Sequence, residues 1–187
     1  MKFNIIYADP PWSFKTWSEK GMGRSPKYPT LSLVDISYLN IPSIAADNCV
    51  LFLWATAPMM PQALEVMDGW SFKYKTIAFT WIKQTKHTND IFRGMGYYTR
   101  SNAEYCLLGT RGKPLPRLDK SISSVVMTTY ERHSKKPEAV RGRIESLFGW
   151  YPSVELFARD KRVGWVCLGN EVTGNDIRVD IDNTSRM

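Results

Sequence analysis

One stretch limits the possible folds more than any other: "CVLFLWA", Cys49 to Ala55, has no polar break, and "PMMPQALEVMDG" follows it after Thr56 and Ala57. A strand with one wet face alternates apolar and polar residues, so an unbroken run must be covered on both faces. The segment behind it reads as a helix, with prolines early and Gly69 as its predicted C-cap. The same alternation runs through the chain. Lys2 to Ala8, "TIAFTWI", "AEYCLLGT", "SVELFA" and "GWVCLG" read as further strands. "TLSLVDISYL" places Leu33, Ile36 and Leu39 at helical spacing behind Thr30 or Ser32 as N-cap, and Pro137 to Phe148 puts Val140, Ile144, Leu147 and Phe148 on one face. Strands separated by helices predict an α/β sheet with helices on its faces, and 187 residues suit a single domain, 1–187.

Several classes of protein fall away. No apolar run is long enough to span a bilayer, and the N-terminus lacks the basic, apolar and small-residue series of a secretion signal. Cys49, Cys106 and Cys167 are scattered within apolar stretches, which predicts reduced core thiols and a cytoplasmic location. With two histidines and no paired cysteines, no metal site is expected.

The net charge of +7 is uneven. Residues 111–143 hold nine bases against three acids, while 13–30 and 83–100 each hold four bases against one acid. These stretches show little apolar periodicity and read as loops. Basic loops suit a polyanion, most often nucleic acid, although a solvated basic surface explains charge alone equally well. The loops also carry Trp17, Tyr28, Phe92, Tyr97, Tyr98 and Tyr130, a composition suited to backbone contact with base stacking. Lys15, Arg24, Lys27, Arg93, Arg100, Arg111, Lys113, Arg117 and Lys135 are the candidate nucleic-acid contacts.

The first strand ends in Asp9, Pro10, Pro11 and Trp12. Ligands of α/β sheets bind at the carboxyl ends of strands, where Asp9 would project. Prolines bring no N–H, so the corner is expected to offer a carboxylate and main-chain carbonyls without local donors. Such a corner suits a planar amino group, with Trp12 as a stacking face for the base that carries it. A strand-ending turn with a core tryptophan accounts for the tetrapeptide equally well.

Asp-Pro-Pro-Trp, followed in order by "GYYTRSNAEYCLLGTRG", "SKKPEAVRGRIESL", "VELFAR" and "GWVCLGNE", resembles the adenosylmethionine-dependent adenine-N(6) methyltransferases typified by the catalytic subunit of the mRNA N(6)-adenosine methyltransferase, with its bacterial and phage relatives. The resemblance spans nearly the whole chain. It implies a Rossmann-like fold with a mixed sheet in permuted order, catalytic half first and cofactor half last. It also implies S-adenosyl-L-methionine as cofactor and catalysis by Asp9, Pro10, Pro11 and Trp12. By the same resemblance Asp9 also touches the cofactor, Lys136 holds its methionine carboxylate, Phe157 lines its site, Arg159 and Asn170 reach its ribose, and Glu171 lies near its adenine. Many relatives carry an amide where Glu171 stands. The glycine-rich loop of most Rossmann methyltransferases is missing, as is usual in this family. Relatives with longer N-termini place a cofactor-contacting strand ahead of the catalytic motif. Here the C-terminal "GNDIRVDI" either replaces it through Asp176 and Ile177 or forms an acidic tail without a role, and the tail is the expectation.

The function expected from these readings is methylation of the 6-amino group of adenine in nucleic acid, DNA ahead of RNA, by a bacterial or phage-encoded enzyme. A non-catalytic partner subunit that binds nucleic acid is the alternative. A homodimer or a second subunit is left open.

Overall fold

The computed structural model describes residues 1–13, 30–129 and 135–187. Among these residues seven strands form one sheet: β1 (Phe3–Ala8), β2 (Ala45–Thr56), β3 (Lys73–Gln84), β4 (Glu104–Arg111), β5 (Val125–Thr129), β6 (Ser153–Leu156) and β7 (Trp165–Leu168), in spatial order β5-β3-β4-β2-β1-β6-β7. Five α-helices accompany them among the described residues: α1 (Leu33–Ser37), α2 (Met60–Gly69), α3 (Glu138–Phe148), α4 (Asn170–Thr173) and α5 (Ile177–Arg186). β1 pairs in parallel with β2 and β6, β6 with β7, and β3 with β5, whereas β4 runs antiparallel between β2 and β3. The fold is therefore the expected mixed α/β sheet.

The unbroken apolar run is the centre of it. Along β2, Cys49, Leu51, Leu53 and Ala55 face one core layer and Val50, Phe52 and Trp54 the other. The first layer is closed by Ile36 of α1, Ala63, Val66 and Met67 of α2, and Ile177 and Ile181 of α5. The second is closed by Val140, Ile144 and Phe148 of α3. Helices thus cover both faces, as a strand buried on two sides demands. Cys49 and Cys106 are buried, Cys167 is half-buried, and all three are free thiols. Among the described residues no helix is long and apolar enough to cross a membrane.

Some elements depart from expectation. Ser32 caps α1, its hydroxyl accepting from Asp35 N. Gly69 is the last residue of α2, not a left-handed cap; Ser71 takes the positive φ of 64°. Glycine suits position 69 because a Cβ there would stand 3.1 Å from the Ser37 carbonyl oxygen of α1. β5 lies inside the stretch read as a basic loop. The C-terminus is a packed helix, so the acidic tail is corrected: Ile177, Asp180, Ile181 and Thr184 are its buried positions, spaced i, i+3, i+4, i+7.

Candidate active site

Ala8, Leu156 and Leu168 stand side by side at the ends of β1, β6 and β7, so Asp9, Phe157 and Gly169 leave the sheet at one level. β1 is also where the chain's strand order departs in two directions, toward β2 and toward β6, which is where an α/β sheet opens a ligand crevice. Because β4 is antiparallel, it brings its first residue, Glu104, to this same edge, paired with Thr56 of β2 and Trp81 of β3.

Charges alternate along this edge. Lys136, two residues ahead of α3, donates to Asp9 Oδ2 at 2.8 Å and lies 3.1 Å from Glu104 Oε2. Lys83 of β3 pairs with the other oxygen of Glu104. The sequence Asp9–Lys136–Glu104–Lys83 is a row of opposite charges, largely screened from water. Burial pushes the Asp9 carboxyl up, the nearby Lys136 ammonium pulls it back by less, and Glu104 adds to the rise. Glu104 is also pushed up by burial, but its two lysines outweigh that and hold it below the usual carboxylate range. Lys136 loses to burial and gains more from Asp9 and Glu104, so its ammonium is held above the ordinary lysine value.

Two tryptophans support this row. Lys136 Nζ lies 5.6 Å from the centre of the Trp54 ring, over its face. Trp54 Nε1 donates to the Tyr7 hydroxyl at 2.7 Å, and Trp12 Nε1 donates to the Trp54 carbonyl at 3.0 Å. Trp12 is 7% exposed and belongs to the core, so the open stacking face expected for it is corrected. A second correction concerns the proline carbonyls, which do have donors: Trp12 N–H donates to Pro10 O at 2.8 Å and Leu31 N–H to Pro11 O at 3.1 Å. The corner is rigid for that reason. Pro10 is buried and Pro11 half-buried.

On the β6 side a small cavity of about 20 Å³ opens among Tyr7, Asp9, Lys136, Glu155, Phe157 and Arg159. Phe157 has φ of 60°, an uncommon backbone state for an aromatic residue, and it turns the chain away from β6. Arg159 comes within 3.7 Å of Glu171 at the start of α4, next to Asn170, which is exposed. The predicted cofactor residues Asp9, Lys136, Phe157, Arg159, Asn170 and Glu171 therefore share one strand-end row. Their donors and acceptors match an amino-acid zwitterion at the Asp9–Lys136 end and a ribose diol at the Arg159–Asn170–Glu171 end. This set fits adenosylmethionine. Asp176 and Ile177 do not extend the row: Asp176 caps α5 by accepting from Arg178 N at 2.8 Å, and Ile177 is in the core.

The candidate nucleic-acid residues divide. Arg93 and Arg100 lie in residues 85–103, which join β3 to β4 at the Asp9 edge. Asn102 fastens the base of that segment by accepting from Lys83 N and donating to the carbonyls of Lys83 and Phe92. Lys135 turns inward instead, 3.2 Å from Asp160. Arg111, Lys113 and Arg117 stand apart from the Asp9 edge. β4 leads away from the site, and its eight residues put its far end roughly 24 Å from Glu104. Arg111 there approaches the Pro42 carbonyl, Lys113 N donates to Asn48, and Leu118, next to Arg117, bonds Leu147 near the end of α3. Lys15, Arg24 and Lys27, with Trp17, Tyr28 and Tyr130, lie outside the described residues.

Glu104 and Asp180 carry structure at the site and escaped the sequence reading. Glu104 had a legible signal, an acid at the head of an otherwise apolar strand.

The sequence matches the family model MT-A70 over residues 3–171. It is 36% identical to the Type II methyltransferase M.MunI of Mycoplasma sp over an alignment covering 95% of this chain and 81% of that protein. It is 30% identical to the human N(6)-adenosine-methyltransferase catalytic subunit METTL3, covering 92% of this chain but 29% of that protein, and 28% identical to an Arabidopsis thaliana protein named N(6)-adenosine-methyltransferase MT-A70-like, of which it covers 24%. The chain thus spans under a third of these two longer relatives and most of the Mycoplasma one. With a strand-end Asp-Pro-Pro-Trp corner, a charged crevice beside it and a family match over nearly its full length, the chain is a methyltransferase of the MT-A70 family.

Proposed function

We propose that this protein transfers a methyl group from adenosylmethionine to the 6-amino group of adenine in nucleic acid, with DNA as the polymer. The observation that carries the reading is Asp9, a carboxyl group desolvated at the end of a central strand and ion-paired with Lys136 at 2.8 Å. Lys136 occupies one carboxylate oxygen, and the other is suited to an amino hydrogen. Pro10 O, already accepting from Trp12 N–H, has a second lone pair for the amine's other hydrogen. Two acceptors drawing on one amine localise its nitrogen lone pair, which in free adenine is delocalised into the ring. The cofactor supplies an electrophilic methyl on a sulfonium. Arg159, Asn170 and Glu171 hold its adenosine end, Phe157 lines it, and Lys136 meets its carboxylate. After transfer the nitrogen carries an extra proton, which leaves to solvent or to Asp9.

Trp12 acts from the core, holding the Trp54 carbonyl and so the floor under Lys136. Contact with the polymer falls to Arg93 and Arg100, whose segment also exposes Tyr97 (71%) and Tyr98 (94%). A base must leave a duplex to reach Asp9, at a cost of about a few kcal/mol that is least in single strands. DNA is favoured because the Mycoplasma relative, a type II methyltransferase, is matched over most of its length.

Labelled adenosylmethionine offered with single-stranded DNA, duplex DNA and RNA, followed by nucleoside mass spectrometry, tests this. N(6)-methyladenine in DNA is the expected product. Label confined to RNA overturns the polymer assignment, and label on cytosine or on protein overturns the base.

A further inference from the structure

Helix α5 lies beyond the residues matched to the family. On its buried face stands a carboxylate, Asp180, only 5% exposed. A buried charge is retained only where donors replace water. All three side-chain contacts of Asp180 come from the turn after β7: Gly169 N donates to Oδ2 at 3.0 Å, Thr173 Oγ1 to the same oxygen at 2.7 Å, and Asn175 Nδ2 to Oδ1 at 3.0 Å. The turn is held from its other side as well. Gly169 has φ of 144°, and a Cβ there would lie 3.0 Å from Ala158 N and 3.1 Å from Phe157 Cα. The segment from Gly169 to Asn175 is thus clamped between Asp180 and the Phe157–Ala158 backbone, and it carries Asn170 and Glu171.

We infer that Asp180 is a positioning residue that sets affinity for the adenosine end of the cofactor by fixing Asn170 and Glu171. This rests on the adenosylmethionine reading above. The carboxylate touches neither substrate nor cofactor, and its effect belongs to binding, with little on the transfer step. Its two oxygens bridge both ends of the turn, so an apolar side chain that fills the space cannot replace it, whereas asparagine retains an acceptor for Gly169 N and Thr173.

Asp180→Leu and Asp180→Asn test this through calorimetric titration with S-adenosylhomocysteine, amide hydrogen exchange over residues 169–175, and turnover at saturating cofactor. Losing charge-assisted bonds in Asp180→Leu is expected to weaken binding about 10-fold. It should speed exchange in the turn while leaving saturated turnover within about 2-fold. Asp180→Asn should recover most of the affinity. If Asp180→Leu does not fold, Thr173→Val and Asn175→Ala each remove one of the donors to Asp180 and should each weaken binding roughly 3-fold. Undiminished affinity in these variants, with the unmodified chain binding, overturns the inference alone. Failure of the unmodified chain to bind overturns the cofactor reading and this inference with it.

Discussion

Lys136 and Asp9, 127 residues apart in the chain, meet at 2.8 Å across the crevice between β1 and α3. The pair fixes Asp9 in position as an acceptor. Asp9→Asn, which keeps size and removes charge, should lower turnover by ~10²-fold or more, as losses of preorganised electrostatic groups do. Circular dichroism should be unchanged. Normal turnover by the folded variant would remove Asp9 from the chemistry.

The pH profile should respond to the two neighbours of Asp9 in opposite directions. Transfer needs Asp9 charged, so the rate falls as pH drops through its raised pKa. Lys136 lowers that pKa and Glu104 raises it. Lys136→Met should therefore start the acid decline at a higher pH, and Glu104→Gln at a lower one. Saturated rates measured from acid to neutral pH decide this, and shifts of one sign in both variants would refute it.

Glu104 also links the site to stability. Its carboxyl is held below the usual range by Lys136 and Lys83, so its contribution is present above the unfolded value and lost as pH falls through the folded one. Chemical denaturation across that acid range should show the unmodified chain losing stability more steeply than Glu104→Gln.

Trp12 should report on stability ahead of base capture. Trp12→Phe keeps an aromatic ring but leaves the Trp54 carbonyl without its donor, at a cost of about 1–3 kcal/mol. Trp12→Ala empties a core site and should cost about 3–5 kcal/mol. Denaturant midpoints measure both. Unaltered stability with weakened capture of nucleic acid would return Trp12 to the stacking role.

Direction of the strands separates the basic residues. Arg93→Gln with Arg100→Gln should flatten the salt dependence of DNA binding, each phosphate contact contributing about 0.7–0.9 to the logarithmic slope. Neutralising Arg111, Lys113 and Arg117, at the other end of β4, should leave that slope as it was. Fluorescence titrations from low to physiological salt test both sets, and a change confined to the second set would reverse the assignment.

The sheet was legible wherever a strand is buried on both faces, because β1, β2 and β4 are apolar runs that no other element explains. β5 was not, since Val126 is its one buried residue and basic and serine residues surround it. α5 escaped because Asp180 and Thr184 break its buried stripe, and the donors that explain a buried acid lie in a separate turn. Asp9 was readable from its strand and its prolines. Glu104 was legible as an acid at the head of a strand, but the edge that it and the three far arginine and lysine positions reach was not, because that depends on β4 running against its neighbours, and composition holds no information on direction.

The pairing of Ile5 with Ser153 ties the first strand to the sixth across most of the chain. Such a closure is entropically late, and contacts this distant slow folding. Until β6 arrives, β1 has an unpaired apolar edge, which is a template for aggregation. Proteolysis or premature termination before residue 153 therefore yields more than an inactive fragment. The strand that leads to Asp9 would then be open to pairing with other chains, so solubility is expected to fail at the same boundary as the fold.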